Sequence, residues 1–325
     1  MDESVFSVRP FVDSDFDSYA EVRRAARPNY PVSAETLRHY DESVPPKLVH
    51  DRYVAELRRT GQVVAIGGLD EDPTHAHVGK YWTFVFVRPE FQGRGIGSRL
   101  FEILLGDARR QNGVCLWTSV QSGEAAGLAF SARRGFIESS RDWQSVLEVE
   151  SVDTSRLPSL LLNLKDRGIE VTTLDQEGVD DPDVVRRLYR LDVTTSPDVP
   201  RVEPYVPWTL EQFRRAELEG PQVLPEAWFI AKAKGDYVAL SSAQREAADP
   251  ELLQQDYTCT LKEYRRQGLA LTLKLALVEF ARQNHFRRIR TNNGSLNAPM
   301  WTLNEQLGFR RVSTTLQLEK SLRGI

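Results

Sequence analysis

The sequence predicts an α/β protein of the α+β type, with two similar domains in tandem, each a mixed and mainly antiparallel sheet flanked by helices. Three observations support this fold class. The chain has 325 residues, more than one hydrophobic core usually spans. A strand, a glycine-containing loop and an amphipathic helix follow one another twice. Alternating apolar and polar runs with a turn at Gly61 and at Gly235, typical of β-hairpins, precede the two loops.

The repeat is clearest around the two loops. In each half 43 residues separate a loop residue from a later Gly-Phe pair, Gln92 from Gly135 and Arg265 from Gly308. A fixed spacing of this kind indicates a duplicated structural unit. The segments that match read FVFVRPEFQGRGIGSRLFEILLGDARRQNG in the first half and TCTLKEYRRQGLALTLKLALVEFARQNHF in the second.

The two halves meet in the segment SVDTSRLPSLLLNLKDRG. Pro158 is expected near the start of a short helix and Gly168 just past its end, the usual asymmetry of these two residues. We therefore predict an N-terminal domain over residues 1–155 and a C-terminal domain over residues 156–325.

Composition and charge exclude several classes of partner. A formal net charge of -4 at pH 7 provides no general attraction to nucleic acid or to an anionic membrane. No apolar run approaches the roughly 20 residues of a membrane helix, and the acidic N-terminus lacks the pattern of a secretory signal. Cys115 and Cys259 suit reduced thiols better than a disulfide. We expect a cytoplasmic protein with a small-molecule partner, either a monomer with an internal pseudo-dimer or a homodimer.

The loop of the first half has the features of a phosphate site. It reads QGRGIG, follows a predicted strand and opens a predicted helix. A helix N-terminus presents unpaired N–H groups, and glycine lets the backbone approach an anion closely. A P-loop and a dinucleotide fingerprint do not match, because no Gly-Lys-Ser/Thr is present and Trp117 stands 20 residues after Gly97. A glycine-rich turn without a ligand is the alternative, which the strand and helix context disfavours.

With these residues in view, both halves resemble the GNAT superfamily of N-acetyltransferases, whose signature Gln/Arg-x-x-Gly-x-Gly/Ala follows a central strand. The matching segments begin at Gln92 and at Arg265. The resemblance extends over nearly the whole chain. It implies an acyl-CoA N-acyltransferase fold in each half, acetyl-CoA as co-substrate, and direct transfer of acetyl to a primary amine of a small-molecule acceptor.

By this resemblance, strand backbone groups would run beside the pantetheine arm of coenzyme A, and one strand N–H would stabilise the thioester oxygen. Loop amides would face the pyrophosphate. The strand residues are Val85, Phe86 and Val87, and Thr258, Cys259 and Thr260. The loop residues are Gln92, Gly93, Arg94, Gly95, Ile96, Gly97 and Ser98, and Arg265, Arg266, Gln267, Gly268, Leu269, Ala270 and Leu271.

The two halves differ at two further family positions. Many members have an Asn that contacts the cofactor and, seven residues later, a Tyr that can protonate the departing thiolate. These positions hold Glu124 and Ser131 in the first half, and Asn297 and Asn304 in the second. We therefore predict that Asn297 binds the cofactor, that Asn304 is a catalytic candidate, and that the second half is catalytic. The reverse assignment stays open, because Ala270 replaces the last glycine of the second loop.

The acceptor amine must lose a proton before it attacks, since a lysine-like amine is protonated at neutral pH. Asp256, just before Thr258, is the candidate base, and His77 and Glu124 are weaker candidates in the first half. A solvated charge at a strand end is the alternative for each of them. Cys259 could carry an acyl group, but no His stands at a suitable spacing, which favours a buried structural thiol.

Two remaining groups are less specific. His75 and His77 lack a third ligand of matching pattern, so we expect no metal. Aromatic residues of the segment that follows the first helix of each half could line the acceptor cleft or belong to the core; they are Tyr30, Tyr40, Tyr205 and Trp208.

The alternative function is a non-catalytic acetyl-CoA-binding sensor or scaffold with degenerate acetyltransferase domains. It is motivated by the absence of the family's Tyr from both halves. The identity of the acceptor and of the acyl group does not follow from these motifs, because acceptor specificity depends on variable helices and loops.

Overall fold

The computed structural model describes residues 5–28, 32–71, 79–201, 205–246 and 249–323. The strands over these residues are β1 (Phe6–Pro10), β2 (His50–Leu57), β3 (Val63–Glu71), β4 (Lys80–Val87), β5 (Cys115–Gln121), β6 (Ile137–Glu148), β7 (Ile169–Thr173), β8 (Phe229–Ala233), β9 (Asp236–Arg245), β10 (Leu252–Thr260), β11 (Arg288–Gly294) and β12 (Arg310–Ser321). The α-helices are α1 (Phe16–Ala26), α2 (Ala34–Ser43), α3 (Ile96–Arg110), α4 (Ala125–Ala132), α5 (Leu157–Asp166), α6 (Leu174–Glu177), α7 (Pro182–Thr195), α8 (Leu210–Phe213), α9 (Leu269–Gln283) and α10 (Ala298–Leu307). A π-helical turn, Arg214–Leu218, follows α8.

The chain divides into two compact units. The first contains Met1–Ser140 and Leu316–Ile325, and the second contains Arg141–Thr315. The predicted boundary at residue 155 follows the sequence repeat, whereas these units assign the end of β6 to the second unit and the end of β12 to the first. Burial explains the assignment, because Leu147 lies in the core of the second unit and Leu318 in the core of the first.

The first unit has the strand order β1-β2-β3-β4-β5, with the end of β12 next to β5. Neighbours from β1 to β4 are antiparallel, and β4 and β5 are parallel. Helix α3 covers one face because Ile96, Leu100 and Leu104 recur every four residues and are all buried. Helix α1 covers the other face, where its Tyr19 stacks on Phe84, and Leu37 of α2 belongs to the same core cluster.

The second unit repeats this arrangement with the strand order β7-β8-β9-β10-β11-β6. Its strands are antiparallel except for the parallel pair β10 and β11. Helix α9 covers one face and α7 the other. The predicted hairpins are present, with left-handed backbone at Gly61 and Gly235 in their turns. The predicted fold class, mainly antiparallel mixed sheets flanked by helices, is confirmed.

None of the described helices is both long enough and apolar enough to cross a membrane.

A charged cluster links α2 to β2 and β3 in the first unit. His50 lies 2.7 Å from Asp70 and 3.4 Å from Asp41, and Arg52 lies 2.5 Å from Asp41. The two histidine contacts have ion-pair distances without the directions of good hydrogen bonds. Burial alone would lower the pKa of His50, but the two carboxylates outweigh it and raise the pKa to about 9.

We expect His50→Gln to destabilise the protein most at pH 6 and less as the pH rises through about 9. The pKa of the folded state lies above the ordinary histidine value of about 6.5, so the stabilisation is complete below that value and is lost through the raised one. At pH 6 the Tm should fall by roughly 3–6 °C, the shift that about 1.5 kcal/mol causes in a unit of this size. Calorimetry from pH 6 to 9.5 measures this difference. The exposed His285→Gln is the control, and a Tm difference for His50→Gln that is constant with pH would contradict the prediction.

Candidate active site

The central parallel pair of strands separates along its length in each unit. The strands β4 and β10 continue to Val87 and Thr260, well beyond their last ladder partners. Over the described part of these strands, the facing backbone groups beyond that point are available to a ligand. The paired stretches are Lys80–Trp82 with Cys115–Trp117, and Leu252–Gln255 with Arg288–Thr291.

A loop with left-handed backbone lies at the end of each of these strands. The φ angles are 74° and 84° at Gly93 and Gly95, and 58° and 84° at Arg266 and Gly268. Left-handed residues of this kind turn backbone N–H groups toward one side, and helix α3 or α9 starts directly afterwards. A Cβ at Gly93 or Gly268 would meet nothing within 4 Å, so the space around these positions is open.

Side chains at the first and third loop positions brace the loop. Gln92 donates to the carbonyl of Val87 at 3.1 Å, and Arg265 donates to the carbonyl of Thr260 at 3.0 Å. The third residue of each loop donates to the carbonyl four residues earlier, at 3.0 and 2.9 Å. Arg265 also forms an ion pair with Asp198 at 2.5 Å. These side chains hold the loop in place, which leaves its amides to face a ligand.

The last loop position tolerates either glycine or alanine. A Cβ at Gly97 would lie 3.4 Å from Phe130 and 3.5 Å from Val87, which are ordinary contacts. The equivalent Ala270 is half-buried at the start of α9. The alanine therefore does not disqualify the second loop on steric grounds.

The second unit carries a β-bulge in its central strand. The register between β10 and β9 shifts by one residue between Gln255 and Thr258, which places Asp256 and Tyr257 in the bulge. A bulge bends the strand and redirects the side chains it contains. The candidate base Asp256 therefore lies directly after Gln255, the last residue of β10 that pairs with β11.

The first unit has no bulge at the corresponding place. The register between β3 and β4 is continuous from Val87 to Tyr81. Thr83, nine residues before Gln92 as Asp256 is before Arg265, is buried and donates to the carbonyl of Gly68 at 3.1 Å.

Aromatic rings fill the α1 face of the first unit. Phe84 stands at the loop-relative position of Tyr257 and stacks on Tyr19 with the centroids 6.0 Å apart. Phe86 lies 5.3 Å from Phe84. At the strand position where the second unit has Asp256 and Tyr257, the first unit therefore has an aromatic ring and no carboxylate.

Three carboxylates come together at the bulge of the second unit: Asp192 on α7, Glu217 on the π-helical turn, and Asp256. Desolvation and the charges of Asp256 and Asp192 raise the pKa of Glu217 to about 8. Desolvation by the surrounding protein also raises the pKa of Asp256, although this residue is exposed to solvent on one side. Among the described residues, neither Glu217 nor Asp256 has an ion-pair or side-chain hydrogen-bond partner.

Hydroxyl groups surround the third carboxylate. Asp192 accepts from Ser196 at 2.8 Å and from Tyr205 at 3.1 Å. The hydroxyl of Tyr257 lies 3.0 Å from that of Thr195. Tyr205, a candidate for either the acceptor cleft or the core, therefore lies beside Asp192. Of the three carboxylates, only Asp256 was predicted from the sequence.

The other aromatic candidates have different surroundings. Trp208 packs against the core between α7 and the sheet, and its carbonyl accepts from Tyr189 at 2.7 Å. Tyr40 is exposed. Tyr30, His75 and His77 lie outside the described residues.

The two asparagines of the second half lie on α10. The side chain of Asn297 caps this helix by accepting from the N–H of Met300 at 3.4 Å. Asn304 is fully buried and donates to Asn293 at 2.7 Å, while its Oδ1 has no partner in the described structure. An amide has no ionisable proton near neutral pH, so Asn304 can act on a thiol only through hydrogen bonding.

The remaining candidate residues are buried or already paired. Cys259 is buried in the core beneath α7, and desolvation raises its pKa to about 12, so it stays a thiol. In the first half Glu124 forms an ion pair with Arg27 at 3.5 Å, and Ser131 is buried. No group of three or more His, Cys, Asp or Glu residues that could hold a metal occurs in the part of the chain that is described.

The residues present fit coenzyme A. Each unit combines open strand edges with a loop whose amides converge at a helix N-terminus, a site suited to pyrophosphate. The second unit adds the unpartnered buried oxygen of Asn304, which needs a donor.

Solved structures share this architecture over the full chain. A GCN5-related N-acetyltransferase from Sphaerobacter thermophilus is 15% identical with a TM-score of 0.70, covering 100% of this chain and 98% of its own. A tandem GNAT protein from the clavulanic acid biosynthesis pathway is 19% identical with a TM-score of 0.73, covering 98% and 99%. At these identities the likeness concerns the fold.

A search of curated proteins returns no significant match. The family model described as the acetyltransferase (GNAT) family matches residues 19–136 and residues 187–309, together more than half of the chain. Two matches, one in each half, agree with the duplicated loops and confirm the resemblance drawn from them: the chain belongs to the GNAT family of acetyltransferases, with a tandem pair of GNAT regions.

Proposed function

We propose that this protein is an N-acetyltransferase that moves acetyl from acetyl-CoA to a primary amine of a small cationic acceptor, with the chemistry in the second unit. The observation that carries the proposal is the unpaired carboxylate pair Glu217 and Asp256 at the bulge, beside the open edge of β10. The first unit is a cofactor-binding or degenerate partner. A cytoplasmic location and a monomeric or homodimeric state belong to the same proposal.

The carboxylates match what an amine acceptor needs. An ammonium group is attracted to uncompensated negative charge, and it must lose a proton before its nitrogen can attack. Desolvation raises the pKa of both carboxyls, and repulsion between them adds to the rise at Glu217, so the pair retains a proton more readily than two free carboxylates. A charged carboxylate binds the ammonium and accepts its proton, and Asp256 on the bulge is our candidate for this step.

The loops and strand edges would hold the cofactor. When bound, coenzyme A supplies the acetyl group as a thioester. Loop residues Gly93–Ser98 and Arg266–Leu271 would hold its pyrophosphate through backbone amides, and the edge at Thr258–Thr260 would orient the thioester oxygen. The first unit keeps the loop, but β4 has no bulge and no carboxylate at the corresponding place, which supports binding without transfer.

The cofactor part of the proposal is tested by Gly268→Glu with Gly235→Glu as the control. Both glycines have nearly the same φ, 84° and 85°, and neither Cβ would meet anything within 4 Å, so the two variants share the backbone strain and the added charge. Only Gly268 lies in the loop. We expect Gly268→Glu to weaken acetyl-CoA binding to the second unit by about 100-fold, the loss expected when charged hydrogen bonds at a helix N-terminus are removed. Calorimetric titration measures it, and equal affinities in the two variants would contradict the assignment.

The catalytic part is tested by thiol release with a panel of primary amines. We expect Asp256→Asn to lower kcat by about 100-fold or more, the usual contribution of a general base. Glu217→Gln should chiefly raise the KM for cationic acceptors. The exposed Glu226→Gln makes the same chemical change away from the bulge and should leave both values unchanged.

The same assay compares the two halves and the two functions. Turnover should persist in Gly95→Glu and be lost in Gly268→Glu. Acetyl-CoA binding to the wild type without thiol release for any amine would favour the non-catalytic sensor or scaffold. Turnover that depends on Gly95 alone would reverse the assignment of the halves.

A further inference from the structure

A lysine of the second unit is buried without an acidic partner. Lys274, on α9, is 3% exposed, and its Nζ donates to the Oε1 of Gln255 at 2.6 Å. The same Nζ atom also lies 5.5 Å from the ring centroid of Phe309. No carboxylate among the described residues forms an ion pair with it. Because a buried amine is costly unless it is paired, this placement requires an explanation.

The partner of this lysine links the two ends of the bulge. Gln255 precedes the bulge and Thr258 follows it. The Nε2 of Gln255 donates to Ser241 on β9 at 2.9 Å and lies 3.4 Å from the hydroxyl of Thr258. Ser241 and Thr258 are themselves 3.1 Å apart. The four side chains therefore join α9, β9 and both sides of the bulge.

The first unit lacks this network at the same loop-relative positions. Phe101 stands nine residues after Gln92, as Lys274 stands nine after Arg265. By strand register, Thr83 and Gly67 occupy the positions of Gln255 and Ser241, and the strand there has no bulge. Within one chain, the network and the bulge thus occur together or are both missing.

We propose that Lys274 is a positioning residue that holds Gln255 and, through it, the bulge that presents Asp256 to the acceptor. The inference rests on the proposed function. Helix α9 begins in the cofactor loop, so the lysine on its second turn connects the acceptor side of the site to the element that carries that loop.

This role separates stability from activity. Desolvation lowers the pKa of Lys274 to about 7, so burial opposes its charged form. An apolar side chain of similar length would avoid that cost, and Phe101 shows that the fold accepts one in the other unit. Replacing the lysine would also leave the buried Oε1 of Gln255 without a donor, so the desolvation cost that is removed and the hydrogen bond that is lost offset each other.

The test compares Lys274→Met with Leu273→Met, a neighbouring buried position on the same helix that controls for the change in packing. We expect Lys274→Met to lower kcat by about 10-fold to 100-fold, the range that a misplacement of about 1 Å can cause. The KM for acetyl-CoA and the Tm should stay unchanged. Hydrogen exchange across residues 255–260 should become faster. A Tm that falls together with kcat would indicate a merely structural lysine and overturn the proposal, as would an unchanged kcat.

A double variant tests whether the lysine acts through its partner. Gln255→Leu should reproduce the loss in kcat, and Lys274→Met with Gln255→Leu should lose no more than either single variant. Additive losses would contradict the connection. The exchange measurement needs no turnover. If the wild type acetylates no amine, the proposed function fails. Faster exchange in Lys274→Met would still support the positioning role of Lys274, and unchanged exchange would overturn it.

Discussion

The parting of the central parallel strands is the constraint on which the rest of each unit depends. Backbone groups inside a sheet need hydrogen-bond partners, and β10 runs on for five residues after its last pair with β11. The neighbouring elements stabilise β10 around this opening and direct backbone amides toward it. The antiparallel neighbour β9 pairs with the far edge of β10, α9 covers one face, and the loop with Gly268 directs its amides to the end of the gap.

The two units show how one scaffold carries different chemistry. Both have the open strand edge, the left-handed loop and the long helix after it. They differ in the middle of the central strand, where a regular strand with buried Thr83 in one corresponds to a bulge with Asp256 in the other. The packing around this strand differs accordingly. Aromatic rings stack on it in the first unit, whereas carboxylates and hydroxyls surround it in the second.

Local pattern was sufficient for the hairpins, the loops and the helices that follow them, because turn residues and apolar spacing lie within one short segment. It also pointed to Asp256, which adjoins a recognisable strand. It missed Asp192 and Glu217, which lie on α7 and on a π-helical turn with no motif and meet the bulge only in the folded unit. The predicted boundary at residue 155 rested on the repeat, because pairing between distant strands leaves no periodic trace.

Under the proposed function, helix α9 would hold the two substrates of the second unit in a fixed relation. Its first turn belongs to the cofactor loop, and its second turn reaches the bulge through Lys274 and Gln255. A helix is rigid over so short a distance, so the proposed pyrophosphate loop and the bulge with its carboxylates are positioned by one element rather than by two independent ones. Holding two reactants in such a geometry removes much of the entropic barrier to their reaction. In the first unit the corresponding helix α3 has the buried Phe101 at this position, which has no polar group to connect the helix to the central strand.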